Sequence, residues 1–152
     1  LNACAGCDDL FTSRSEETIL TPHVGEFARL SGYSREDILV SPIKLSRTYA
    51  VENRVVLVLK GAPSVIASPD GSVMINPTGN AGMATAGAGD VLTGLIAGFW
   101  AQGMSAVWAA SLAVYLHGLA GDRARDRRSE WSLMAGDLLT EVPTALVELS
   151  HS

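Results

Sequence analysis

An α/β fold with a mostly parallel sheet follows from three features of the sequence. The run Val55-Val56-Leu57-Val58-Leu59 is continuously apolar and mostly branched, which marks a strand buried on both faces, as in a parallel sheet covered by helices. The apolar residues that follow a glycine-rich stretch fall at helical spacing. Turn and cap residues separate these segments into the order strand, helices, central strand, hairpin, glycine loop, helices.

Taken in order, Thr18-Ile19-Leu20 is β-prone and ends at Thr21-Pro22, because proline holds its predecessor extended. Glu26, Phe27 and Leu30 with the closing Gly32 predict a short helix and its glycine cap. Ser34 heads a second helical turn, with Glu36 and Asp37 at its positive end. Pro42 starts a third helix, with apolar positions at Ile43, Leu45, Tyr49 and Val51. Lys60-Gly61 stops the central strand. Val65-Ile66-Ala67 and Val73-Met74-Ile75 flank Pro69-Asp70-Gly71, a hairpin turn with glycine where positive φ is needed.

The glycine loop runs from Pro77 to Gly89. Asp90 then leads a helix to about Ala101, and Ser105 leads a longer one through His117 to about Arg125. A last helix begins near Gly136-Asp137 and is expected to kink or restart at Pro143. Gly94 and Gly98 suit close packing on the sheet. Trp100, Trp108 and Trp131 are expected in the core or at subunit contacts. His117, among Ala113, Leu116 and Ala120, reads as a core or interface histidine. Asp122 to Glu130, dense in charge, reads as a solvated helix end.

Composition narrows the function. With 47% hydrophobic residues the chain supports a packed core, which excludes low-complexity disorder. Sixteen acidic against eleven basic residues give a net charge of −5, which argues against a nucleic-acid partner. Val91 to Gly121 contains no Asp, Glu, Lys or Arg, yet Gln102-Gly103 interrupts it, and two buried helices account for it better than a membrane span. Cys4 and Cys7 form a lone CxxC without the second ligand pair of a zinc site, and read as incidental thiols of a reducing, cytoplasmic compartment. Leu1 to Asp9 has neither the basic end nor the apolar run of a signal peptide. The start without Met suggests a piece of a longer chain.

The chemistry concentrates in Asn76-Pro77-Thr78-Gly79-Asn80-Ala81-Gly82-Met83-Ala84-Thr85-Ala86-Gly87-Ala88-Gly89-Asp90-Val91-Leu92-Thr93-Gly94. Gly87 and Gly89 allow a sharp turn with no Cβ in the way of a ligand. Free N–H groups around Ala88 to Val91 at a helix start form a cradle for an oxyanion or phosphate. Asp90 is there either a general base or an N-cap, and the flanking glycines favour the base. Asn76 and Asn80 can order the loop through side-chain-to-backbone bonds.

This stretch resembles the signature of the ADP/ATP-dependent NAD(P)H-hydrate dehydratases, which belong to the ribokinase-like superfamily. Thr21-Pro22-His23-Val24-Gly25-Glu26 is similar to the family's Thr-Pro-His-Pro-Gly-Glu, and Lys60-Gly61-Ala62-Pro63-Ser64 to its Lys-Gly-Ala-x-Thr. Ala135-Gly136-Asp137-Leu138 also matches. The departures are mild: Val24 and Ala81 stand for proline, Ser64 for threonine, and Ala86 and Ala88 where glycine and serine are frequent. Leu1-Asn2-Ala3 resembles the end of a family segment, so residues 1–152 read as the C-terminal part of a single domain.

The resemblance implies an incomplete three-layer α/β/α sandwich. It implies repair of hydrated NADH or NADPH, in which a nucleotide phosphorylates the ring hydroxyl and phosphate is then eliminated. Asp90 would be the base and touch the substrate, as would His23. Gly87, Ala88 and Gly89 would hold the phosphoryl group, and Lys60, Gly61, Ala62, Pro63 and Ser64 the adenylate. ADP or ATP with Mg2+ is implied, with no metal site built from side chains, and a homo-oligomer or association with the missing N-terminal part. The alternatives are a small-molecule kinase of the same superfamily and a non-catalytic nucleotide-binding fragment.

Overall fold

The computed structural model describes residues 16–151, so Cys4, Cys7 and the Leu1-Asn2-Ala3 match lie outside the described residues. The chain divides into two compact units at the Ile75–Asn76 junction.

The first unit begins with β1 (Ile19–Leu20), α1 (Val24–Ser31), α2 (Arg35–Val40) and α3 (Pro42–Asn53). It continues through β2 (Val56–Leu59), β3 (Ser64–Ala67) and β4 (Val73–Asn76). The helix boundaries follow the cap residues. Gly32 closes α1 at φ 76°, the Ser34 side chain accepts from the Asp37 N–H, and Pro42 occupies the first turn of α3. The Ser34 cap is worth about 1 kcal/mol against alanine.

The four strands lie in the order β1-β2-β3-β4, and the sheet is mixed rather than mostly parallel. β1 runs parallel to β2, with Ile19 beside Val56 and Leu20 beside Leu57. β3 runs antiparallel to β2, with Leu57 beside Ala67 and Leu59 beside Val65. The apolar run Val55–Leu59 is buried, as its composition requires, but burial says nothing about direction. Direction comes from the connections. Three helices carry the chain from β1 to β2, whereas four residues join β2 to β3, too few for a parallel crossover. Gly71, at φ 85°, turns β3 into β4.

The core of this unit gathers Leu20, Phe27, Ile38, Tyr49, Ala50, Val55, Leu57, Leu59, Val65 and Ala67. Phe27 meets Tyr33 and Tyr49 edge-on, with ring centroids 6.1 and 5.4 Å away. The buried side of α3 is Ser46, Tyr49 and Ala50. Ile43 and Val51, two of the positions expected inside, are exposed.

The second unit holds the glycine loop with one 3-10 turn (Ala81–Met83), then α4 (Ala88–Ala101), α5 (Ala106–Arg127), a second 3-10 turn (Glu130–Ser132) and α6 (Ala135–Ser150). α5 packs against α4 and α6. Arg123 pairs with Glu148, Arg127 with Glu141 at 3.0 Å and Arg128 with Asp137 at 2.9 Å, tying α5 and its end to α6.

Pro143 does not restart α6, which runs unbroken through it. Proline removes one N–H bond, that to the Leu139 carbonyl, and both residues lie on the exposed face where water replaces it. Among the described residues, a Cβ built on Gly94 or Gly98 meets nothing within 4 Å. Trp108 and Trp131 are exposed and outside the core, and Trp100 is half-buried. His117 is buried within α5, as its apolar neighbours suggested. Among the described residues no helix is long and apolar enough to cross a membrane.

Candidate functional site

Two clusters carry the residues singled out by the sequence, one in each unit. In the first, the parallel ladder of β1 and β2 continues past β1. The Lys60 N–H donates to the Pro22 carbonyl at 2.8 Å, and His23 and Lys60 form one further parallel bridge. His23 and Lys60 thus emerge side by side from the carboxyl ends of two parallel strands, where ligands of open α/β sheets bind.

His23 is also the N-cap of α1. Its Nδ1 accepts from the Gly25 N–H at 3.0 Å and the Glu26 N–H at 3.2 Å, so the neutral ring carries its hydrogen on Nε2. Gly25 allows the ring to fold back, since a Cβ there would stand 3.1 Å from His23 Cε1. Glu26 completes a capping box by accepting from the His23 N–H at 2.9 Å. The same oxygen lies 3.5 Å from His23 Nε2 and 3.8 Å from Lys60 Nζ. Partial burial pushes the Glu26 carboxyl up, but the His23 N–H and the charge of Lys60 outweigh it, and the group sits below its ordinary 4.5.

Beyond Lys60 the chain turns through Gly61, Ala62 and Pro63, all exposed, with a cis bond between Ala62 and Pro63. The Ser64 hydroxyl closes this turn, donating to the Gly61 carbonyl at 3.1 Å and accepting from the Gly61 N–H at 3.3 Å.

In the second unit the glycine loop is held against α5. Asn76 Nδ2 donates to the Thr78 carbonyl at 2.9 Å, and Asn80 Oδ1 accepts from the Gly82 N–H at 3.1 Å. The asparagines therefore order the loop as their position suggested. The Thr78 hydroxyl lies 2.9 Å from the Tyr115 carbonyl, and a Cβ at Gly118 would stand 2.7 Å from the Thr78 carbonyl carbon, so α5 needs a glycine there.

Asp122, which the charge pattern had placed on a solvated helix end, instead faces the loop. Its two oxygens accept from the Gly79 N–H at 2.9 Å and from Asn80 Nδ2 at 3.0 Å. No local spacing could have revealed a partner some 43 residues away.

The loop ends at Gly87, whose φ of 87° makes it the cap of α4. Asp90 is accordingly the third residue of the helix and not its N-cap. The amide cradle is narrower than the sequence implied. The Ala88 N–H donates to the Thr85 carbonyl at 3.3 Å, and those of Asp90 and Val91 to the Gly87 carbonyl at 3.0 and 3.1 Å. Among the described residues the N–H groups of Gly87 and Gly89 have no acceptor. Ala88 itself is buried against Ala124, Leu133 and Leu138.

The Asp90 carboxylate is exposed and, among the described residues, has no hydrogen-bond or ion-pair partner. A comparison within the unit gives this weight. α6 opens with the same tripeptide, Ala135-Gly136-Asp137, and there the aspartate accepts from the Met134 N–H at 2.9 Å and pairs with Arg128. The cap decides the difference. Met134 is extended, which aims its N–H at the third residue of the helix, whereas left-handed Gly87 does not present its N–H to Asp90. Among the described residues no group of three or more His, Cys, Asp or Glu side chains could hold a metal ion.

The chain's similarity to solved structures places the fold with α/β proteins of the ribokinase-like class. A ribokinase-like superfamily protein from Enterococcus faecalis shares the fold at a TM-score of 0.74 and 32% identity, over 86% of this chain and 44% of that one. The chain belongs to the NAD(P)H-hydrate dehydratase family, whose sequence profile matches residues 1–144.

It is 51% identical over 151 residues to a bifunctional NAD(P)H-hydrate repair enzyme of Moorella thermoacetica, covering 99% of this chain and 28% of that protein. Its similarity to the ADP-dependent (S)-NAD(P)H-hydrate dehydratase of Bacillus subtilis is 37% over 143 residues, 94% of this chain and 52% of that protein. A crystal structure of the Bacillus subtilis ADP/ATP-dependent enzyme, co-crystallised with ATP and Mg2+, superposes at a TM-score of 0.86 over 90% of this chain and 49% of that one. The chain thus spans about half the length of single-function dehydratases, and less of the bifunctional enzymes.

Proposed function

We propose that this chain supplies the phosphoryl-transfer part of an ADP- or ATP-dependent NAD(P)H-hydrate dehydratase. The carrying observation is the unpartnered Asp90 beside the free Gly87 and Gly89 N–H groups at the start of α4. Asp90 takes the proton of the ring hydroxyl while that oxygen bonds to the terminal phosphorus of the nucleotide. The bond from that phosphorus to the bridging oxygen breaks, and its electrons leave with the shortened nucleotide. The Gly87 and Gly89 N–H groups donate to the phosphoryl oxygens as charge gathers on them. The ring carbon–oxygen bond then breaks, phosphate departs, and loss of a proton from the neighbouring carbon restores the double bond. Phosphate is a far better leaving group than hydroxide, which is why a nucleotide is consumed.

Lys60 and the Gly61–Ser64 turn would receive the adenylate, and His23 would offer Nε2–H to the hydrated dinucleotide. Mg2+ would arrive on the nucleotide's phosphates and offset their charge. Among the described residues no side-chain cage would hold it. The other part of the domain, by covalent continuity or as a separate subunit, completes the substrate site.

The test is recovery of reduced-nicotinamide absorbance from hydrated NADH with Mg2+ and ADP or ATP, using this chain and the intact protein. Recovery is expected in the intact protein, and Asp90→Asn should lower it by about 10²–10⁴-fold, the usual contribution of a general base, with nucleotide affinity within about threefold. A phosphorylated product that persists would favour the kinase alternative. Silence from the intact protein would overturn the dehydratase reading.

A further inference from the structure

We propose that Asp122 is a positioning residue for phosphoryl transfer: its carboxylate pins the glycine loop to α5 and so fixes where the Gly87 and Gly89 N–H groups and Asp90 lie. The proposal rests on the dehydratase reading above. Each oxygen of the Asp122 carboxylate accepts from one donor of the loop: the Gly79 N–H at 2.9 Å and Asn80 Nδ2 at 3.0 Å. Arg125 Nη1 stands 3.5 Å from the same oxygen as Asn80. Asn80 passes the constraint on, because its Oδ1 accepts from the Gly82 N–H and its backbone carbonyl accepts from the Met83 N–H at 3.2 Å.

Met83 in turn is seated on α5. A Cβ at Gly121 would stand 2.7 Å from Met83 Cγ, so the helix is stripped to backbone where the side chain lies. Met83 packs on the cluster of Ala88, Ala124, Leu133 and Leu138, and Ala88 is the first residue of α4. A continuous run of contacts therefore leads from the Asp122 carboxylate to the helix start. Without the carboxylate, the glycine at φ 107° (Gly79) loses its anchor and the loop can drift as a unit. Transfer chemistry tolerates little drift, since a misplacement of about 1 Å can cost on the order of 10²-fold in rate.

The pairing between Asn80 and Asp122 can be inverted chemically, which gives a decisive test. Asp122→Asn alone sets two amide groups against each other or surrenders the Gly79 bond. Asn80→Asp alone sets two carboxylates together. In the double exchange N80D/D122N, the carboxylate moves to position 80, where it can still accept from the Gly82 N–H and takes the second bond from the new amide. The amide oxygen at 122 keeps the Gly79 N–H.

In the intact protein, kcat should fall at least tenfold in each single variant, with the ATP dissociation constant changed less than threefold. Amide hydrogen exchange across Gly79–Met83 should rise in both. The double exchange should return kcat to within about threefold of the unmutated enzyme and restore protection. Unchanged kcat in D122N, or a double exchange no better than the singles, would overturn the positioning role. Unchanged exchange at Gly79 in D122N would overturn the pin itself, whatever the reaction. Absence of turnover in the unmutated protein would overturn the dehydratase reading and the catalytic half of this proposal with it, while the exchange measurement still decides the structural half.

Discussion

The starts of α1 and α4 put the same local sequence to opposite uses. Each helix opens with a small residue or valine, then glycine, then an acid: Val24-Gly25-Glu26 and Ala88-Gly89-Asp90. At α1 the cap, His23, is extended, its ring takes two N–H groups, and Glu26 closes on the His23 N–H while facing Lys60. At α4 the cap is left-handed Gly87, with no side chain to donate or accept, and Asp90 stays open to solvent. A helix start can thus be spent on its own stability or kept available for a ligand. The backbone conformation of one cap residue selects between them, which is why an acid at the third position says little until its cap is known.

The sharpest way to break this comparison is to give Gly87 a side chain. An L-residue at φ 87° costs about 1–2 kcal/mol, and a Cβ there would meet the Ala135 Cβ at 3.2 Å. Relaxation toward an extended cap would turn the position-87 N–H toward Asp90 and build the box that α1 and α6 already have. Gly87→Ala should therefore lower kcat about tenfold or more in the intact protein while leaving the α4 helix formed. Steady-state kinetics with both nucleotides reads it. A Gly87→Ala enzyme with unchanged kcat would mean that the left-handed cap is not what keeps Asp90 available.

The elements governed by short-range rules were legible before any coordinates. Pro22, Gly32, Ser34, Pro42 and Gly71 each stop, cap or turn the chain where their chemistry requires, and the glycine loop declared itself by composition. What escaped were features set at a distance or by geometry that composition does not encode. Asp122 sat in a run of charges, and nothing nearby marks it as the acceptor for Gly79 and Asn80. The α4 start was read at Asp90, three residues past its cap Gly87, because aspartate is a common N-cap and the left-handed conformation of a glycine shows only in φ. Strand direction in the sheet followed from a four-residue connection, not from the apolar strand itself. Ile43 and Val51 show the reverse error: apolar residues at loose helical spacing on a helix whose buried side is elsewhere.

At His23 the observed cap and the proposed ligand contact fall on one ring, and substitution can separate them. Its Nδ1 caps α1, while Nε2 lies 3.5 Å from Glu26 on a side chain that is 56% exposed. His23→Ala removes both and should cost about 1 kcal/mol of stability as a lost cap. His23→Asn keeps an acceptor for the Gly25 and Glu26 N–H groups and should recover most of that stability. If His23 also contacts the hydrated dinucleotide, the asparagine variant should still raise its KM several-fold at unchanged thermal midpoint. Denaturation curves and substrate titrations on the two variants read the two roles independently. An asparagine variant with ordinary KM would leave His23 a helix cap alone.

The smallest expected effect tests whether the α1 acid is committed to stability. The Glu26 carboxyl lies below its ordinary 4.5 in the folded protein, because the His23 N–H and Lys60 outweigh the opposing effect of partial burial. As pH falls from about 4.5, the unfolded chain therefore takes up this proton before the folded one does. The stability that ionised Glu26 contributes is present in full above that range and is lost as pH drops through the folded value. Glu26→Gln can keep the bond from the His23 N–H through its amide oxygen but carries no charge for Lys60 and does not titrate. The unmutated protein should accordingly be the more stable at pH 7, and its advantage over Glu26→Gln should shrink steadily below pH 4.5. The pair of denaturant midpoints at pH 7 and pH 3 measures this directly. An advantage that persists unchanged at pH 3 would mean that shape and hydrogen bonding, not ionisation, hold Glu26 in place, and that the electrostatic half of the contrast with Asp90 is wrong.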